Sequence, residues 1–283
     1  MIHFPILTTA RLSVQLQELT IGQSIAIAGY PESGQEAANT LMLRSSSSST
    51  NVDPAHWTLQ ERALAVGQYL MAINTEQPDF SIGEHGRFTH YLQANTDIDP
   101  ATVATPVYVG EVGGDKWAVQ HLYGYMLESI ERVHGLVTLP GRIEGQRVPM
   151  TPRQHWVFGC MAAQMLRIEL GQEGSAQSVI DTIPAPEAMG AYDDWLIERM
   201  TILANMPDNQ FAALYTLYRC GKTALHHLFD WEFSADDGRP VFLPAPHAQE
   251  GAVAELPPAT FHLSACLSPA ARELGRKHEP VSP

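Results

Sequence analysis

The residues best equipped for chemistry lie between His121 and His134, where two histidines bracket Glu128 and Glu131. Glu128, Glu131 and His134 recur at i,i+3 spacing, which sets them near one face of a helix. Carboxylates and imidazoles gathered that way are the raw material of general acid–base catalysis. The same spacing also describes the solvated face of an ordinary helix, and that reading is favoured. His121 and His134 do not have the i,i+4 spacing of a zinc-binding helix.

Other motifs resolve towards structure rather than chemistry. The run Cys220-Gly221-Lys222-Thr223 resembles the end of a phosphate-binding loop. Such a loop needs a glycine five residues before its Gly-Lys-Thr, and Thr216 stands there. Gly221 is expected to cap a helix C-terminus instead. His226 and His227 are adjacent, so a helix points them about 100° apart and they cannot share a metal. Asp193 and Asp194 suit the positive end of a helix. Glu111-Val112-Gly113-Gly114-Asp115 reads as a hairpin turn and lacks the third glycine of a dinucleotide fingerprint. There is no Gly-x-Ser-x-Gly elbow. No catalytic residue, cofactor or metal ligand is assigned, and the chain is expected not to be an enzyme.

Composition narrows the partners. The 283 residues carry 17 Lys and Arg against 31 Asp and Glu, a net charge of −14. A nucleic-acid binder needs a basic stripe to displace phosphate counterions, so no nucleic-acid partner is expected. No apolar run approaches the ~20 residues of a membrane span. No basic leader precedes an apolar segment, so export is not expected. Cys160, Cys220 and Cys266 are few and far apart, which fits a reducing compartment.

The elements that would position these residues announce themselves mainly through caps. Thr20/Gln23, Thr58/Glu61 and Thr151/Gln154 each have the spacing of a capping box, and Pro152 occupies the favoured first helical position. Leu12, Val14 and Leu16 alternate with polar residues, as in a half-buried strand, and residues 2–7 can pair with it. Ser45–Pro54 is serine-rich and reads as a loop or flexible linker. The helix from Thr58 should bury Leu59, Ala63, Val66, Leu70 and Ile73. Short strands are expected near residues 78–83 and 87–92, and a hairpin over 107–122. A helix should follow to Gly135, then irregular chain or a weak hairpin to Met150. The helix after Thr151 should reach about Gly171, with Val157, Met161, Met165 and Ile168 buried. After a second loop, residues 187–205 and 208–220 read as helices, the first burying Tyr192, Leu196, Met200 and Leu203. A further short helix is expected over 222–233.

The expected fold class is α+β. It comprises an N-terminal strand pair with helices (1–45), a Ser-rich linker (46–57), a mainly helical body with a central β-hairpin (58–238) and an extended Pro-rich C-terminal arm (239–283). Eight of the 20 prolines fall in that arm, and its charges balance, so the whole net charge sits on the body. Proline at this density opposes helix and central strand. Val241, Phe242, Leu243, Phe261 and Leu263 are nevertheless apolar enough to lie against something, the body or a neighbouring subunit, and are the candidate partner contacts.

The segments Leu16–Gly29 (LQELTIGQSIAIAG) and His56–Ile73 (HWTLQERALAVGQYLMAI), followed by PDFSIG, resemble the baseplate-hub and tail-assembly proteins of tailed bacteriophages, typified by a phage T4 baseplate hub subunit. The likeness spans roughly residues 6–83, with a vaguer one through Trp117–Val133. It implies a virion tail component, assembled in the host cytoplasm, that works by protein–protein contact with other tail or baseplate proteins, including the tape-measure protein. A cysteine pair that many members carry after the short strand is missing, so no metal knuckle is implied. The same likeness allows a tail-assembly chaperone that binds the tape-measure protein and leaves. An enzyme built around His121, Glu128, Glu131 and His134 is the third alternative.

Overall fold

The computed structural model describes residues 2–73, 81–82, 86–87, 103, 105–143, 145–170, 178–226, 228, 230–233, 240–243 and 266–275. Among these the chain is a mixed α+β protein whose helices pack around small antiparallel sheets.

The alternation of Leu12, Val14 and Leu16 does make a strand. β1 (Ile6–Thr8) and β2 (Ser13–Leu16) pair antiparallel with Leu7 opposite Val14, and the three alternating side chains are buried. The serine run is not a linker. β3 (Ser47–Thr50) adds to the far edge of β2, with a register shift between Gln15 and Leu16. Its side chains are mostly exposed, so an edge strand needs no apolar face here. The hydroxyls of Ser47 and Ser48 donate to the carbonyls of Leu43 and Gln15.

α1 (Ile21–Ala28) opens on the Thr20/Gln23 box and stops at Gly29. α2 (Gln35–Ser45) and α3 (Leu59–Ile73) follow. Leu59, Ala63, Val66 and Leu70 of α3 are buried and Ile73 half-buried, but so are Gln60, Glu61 and Arg62. The α3 N-terminus is therefore surrounded rather than laid on one face. β4 (Ser81–Ile82) and β5 (Gly86–Arg87) form a short pair.

β6 (Val107–Val112) and β7 (Asp115–Val119) form the central hairpin. Gly113 and Gly114 turn it at φ +67° and +87°, the left-handed pair that a two-residue hairpin loop needs. α4 (Gly124–Arg132) follows, then the hairpin of β8 (Thr138–Pro140) and β9 (Arg147–Pro149). α5 (Pro152–Gln164) opens on the Thr151/Gln154 box.

α5 ends seven residues short of Gly171. Met165–Glu169 forms β10, which pairs with β7, and β11 (Ser178–Val179) extends the sheet to the order β11-β10-β7-β6. Met165 and Ile168 are buried as expected, but from a strand. The apolar–polar alternation of Leu166, Arg167, Ile168 and Glu169 suits a strand, and the open edge of β7 supplies its partner.

In α6 (Met189–Ala204) the stripe Tyr192, Leu196, Met200 and Leu203 is buried as read. α7 (Asp208–Ala224) runs past the expected stop at Cys220, so Gly221 is not a cap. A Cβ there would lie 2.4 Å from Val109 Cγ1 and 2.8 Å from Val119 Cγ1, so Gly221 lets α7 press onto the hairpin. The short helix expected over 222–233 is replaced by the end of α7 and by β12 (Asp230–Phe233), which pairs with β13 (Pro240–Leu243). α8 (Pro269–Gly275) packs on α1, and Cys266 and Leu267 before it enter the main core.

Candidate functional site

The four residues singled out around α4 do not converge. The Glu131 carboxylate accepts the backbone N–H groups of Gln35 at 2.8 Å and Glu36 at 2.9 Å, satisfying the first turn of α2. His134 sets its ring against His155, with centroids 4.7 Å apart. His121 is buried beside Thr58, Gln60 and Gln164. Glu128 alone faces an open cleft. Two of the four thus do structural work that binds neighbouring elements together.

Beneath them runs a seam of buried polar groups. Arg62 Nη1 donates to Thr40 Oγ1 at 2.7 Å, and Nη2 to the Glu36 carbonyl at 3.0 Å and its carboxylate at 3.3 Å. Thr40 Oγ1 in turn donates to Glu128. Burial pushes the Arg62 guanidinium below its ordinary value, opposed by Glu36 and Glu128. Glu61 closes the capping box: its carboxylate accepts the Thr58 N–H at 2.7 Å, and its own N–H reaches Thr58 Oγ1 at 3.1 Å. Arg11 from the β1–β2 turn also grips that carboxylate. Both charged residues of the Leu-Gln-Glu-Arg motif therefore hold the N-terminal sheet, α2 and α3 together.

The cleft, of about 330 Å³, opens between the end of α2, the turn at Pro54–His56, α4 and the start of α6. Its walls carry Arg44, Asp53, His56, Tyr125, Glu128 and Glu187, and Arg132 and Tyr192 also line it. Arg44 grips Asp53 through two bonds of 3.0 and 2.7 Å, which holds the Asp53 carboxyl below its ordinary value. Arg132 grips Asp193 in the same two-pronged way at 2.9 and 2.8 Å, and Ser129 donates to Asp193 as well. The Tyr125 ring meets His56 at 5.7 Å and stands edge-on to Tyr192 at 5.2 Å. Among the described residues the Tyr192 hydroxyl is buried without a hydrogen-bond partner.

A second, apolar groove of about 150 Å³ lies between β7, β10 and α6. Trp117, Met161, Met165, Leu203 and Met206 line it, and Ile202 at its rim is 56% exposed. Asp181 ties one side: it accepts Arg167 Nε and Arg199 Nη1, both at 2.9 Å. Burial raises the Asp181 carboxyl, but the Arg167 N–H and the two guanidiniums outweigh it and hold it low. Next to Asp181, Val179 and Ile180 are exposed at the outer strand.

Of the candidate partner contacts, Val241, Phe242 and Leu243 belong to β13, opposite Glu232, Trp231 and Asp230. Phe261 and Leu263 lie outside the described residues. Cys160 and Cys266 are buried, and burial pushes the Cys266 thiol up to about 12, far from a reactive thiolate. Among the described residues no group of three or more His, Cys, Asp or Glu is arranged to hold a metal ion. No helix among them is long and apolar enough to cross a membrane.

Sequence reasoning missed the cleft because Asp53, Glu128 and Glu187 come from three distant segments. The groove is hidden because Met161, Met165 and Ile168 keep helical spacing across the break between α5 and β10. No family model matches the chain, and neither a curated protein nor a solved structure matches it.

Proposed function

We propose that the chain is a structural component of a bacteriophage tail, at the baseplate or hub, that works through contacts with other tail proteins. The observation that carries this reading is the groove between β7, β10 and α6. It is lined by Trp117 and three methionines and rimmed by exposed Ile202, with exposed Val179 and Ile180 at the neighbouring outer strand. Trp117, Met161, Met165 and Leu203 form its buried floor, so the surface offered to the apolar side chains of a neighbouring subunit is half-buried Met206 and exposed Ile202. The resemblance over residues 6–83 supports the same reading. Within the two segments that carry it, Leu16–Gly29 and His56–Ile73, the residues Thr20, Gln23, Thr58, Glu61 and Arg62 do framework work.

The test is genetic and structural. Phage lacking the coding sequence should make heads and tail tubes that fail to join into complete particles. Wild-type protein should restore them, and an Ile202→Asp variant that folds normally should not. Full restoration by that variant would remove the groove from the account. Complete particles without the protein would remove the reading itself.

A further inference from the structure

We infer that the cleft between α2, α4 and α6 receives a lysine or arginine side chain from a basic segment of a partner protein. This rests on the reading of the chain as a contact-making tail component, and it names the chemistry of one contact.

Both guanidiniums of the cleft are already committed, Arg44 to Asp53 and Arg132 to Asp193, each through two bonds. Glu128 is a further carboxylate, held by the Thr40 hydroxyl with Arg132 Nη1 at 3.8 Å, and the Glu187 carboxylate is 76% exposed at the rim. The lining thus sets three carboxylates, Asp53, Glu128 and Glu187, against two guanidiniums, with His56 Nε2 3.9 Å from Glu187. Behind the floor, the buried Arg62 is matched first by Glu36 and next by Glu128, to which the Thr40 hydroxyl links it, so Glu128 is shared between Arg62 and the cleft.

The second observation is the wall. Tyr125 and His56 present ring surface beside those carboxylates, and an aromatic face next to an acid is the environment that holds an ammonium or guanidinium group. Tyr192 stands edge-on to Tyr125 in the same wall, and its buried hydroxyl has no partner among the described residues. An N–H donor reaching past Tyr125 would supply one. The third is long range. The chain carries a net charge of −14, which steers a basic segment towards it.

The test uses the full chain and blocked five-residue peptides with a central lysine, arginine, norleucine or glutamate, titrated by NMR. The lysine and arginine peptides should shift resonances of Tyr125 and its neighbours, and the norleucine and glutamate peptides should not. Glu128→Gln and Tyr125→Leu should each weaken binding by about fivefold, and rim Glu187→Gln by about twofold. Tyr192→Phe should weaken binding without lowering the melting temperature. Glu111→Gln, a charge removal on β6, controls for overall acidity. Equal weakening by Glu111→Gln and Glu128→Gln, or equal binding of all four peptides, would overturn the inference. If the peptides bind as expected but the protein is missing from particles, the tail reading fails and the site survives. The reverse pattern removes the site alone.

Discussion

Arg62 on α3 and Glu36 on α2 lie 3.3 Å apart in a fully enclosed seam, with the Thr40 hydroxyl and the Glu36 carbonyl taking the remaining guanidinium bonds. Removing one partner leaves the other charged and buried. Arg62→Met should destabilise the protein by about 3–5 kcal/mol in urea unfolding. Arg62→Met combined with Glu36→Met should recover most of that loss, since a buried ion pair is often no better than apolar packing. A double variant as weak as the single one would show that Arg62 acts chiefly through Thr40 and the carbonyl.

Glu61 serves the Thr58 cap and Arg11 at once. Glu61→Ala should cost about 2–4 kcal/mol, the sum of a lost cap and an orphaned charge-assisted bond. Glu61→Gln keeps an acceptor for the Thr58 N–H and should cost clearly less. Thermal melts of the two variants, alongside Arg11→Ala, separate the cap from the ion pair.

Acid should weaken the fold in two stages. His155 is buried, its Nε2 lies 2.6 Å from the Ile130 carbonyl, and burial lowers its pKa from 6.5, with His134 adding to the effect. The unfolded chain therefore binds the extra proton first, and stability falls as pH drops below about 6.5. A His155→Gln variant should flatten that stage. A second decline should follow below the ordinary carboxylate value of 3.8, where Asp53 and Asp181, both held low, must be protonated. Urea midpoints between pH 3 and pH 8 resolve the two.

Among the described residues, the stretch 266–275 is tied to the body. Leu267 and Cys266 are buried, and α8 lies on α1. Leu267→Ala should cost about 2–4 kcal/mol, and deletion of residues 266–283 should lower the melting temperature. An unchanged melting temperature in both would mean that this segment docks elsewhere.

What was legible in the sequence was local. Thr20/Gln23, Thr58/Glu61 and Thr151/Gln154 are three residues apart, and each forms its bonds without help from a distant segment. The stripe on α6 was legible because four buried side chains repeat at helical spacing. Ser47–Thr50 was not, because nothing in a serine run calls for a strand; β2 imposes it by pairing. β10 was hidden for the same reason, its partner β7 lying far earlier in the chain. The cleft was out of reach because Asp53, Glu128 and Glu187 approach one another only after α2, α4 and α6 have packed.

The most direct test of the proposed tail role is to ask, by quantitative mass spectrometry, whether this chain is present in purified phage particles from a lysate that contains it. The account predicts the intact chain in mature particles at a fixed, low copy number relative to the major capsid protein. Abundance in infected cells with absence from the particles would contradict it, and would assign the protein to assembly rather than to the finished tail.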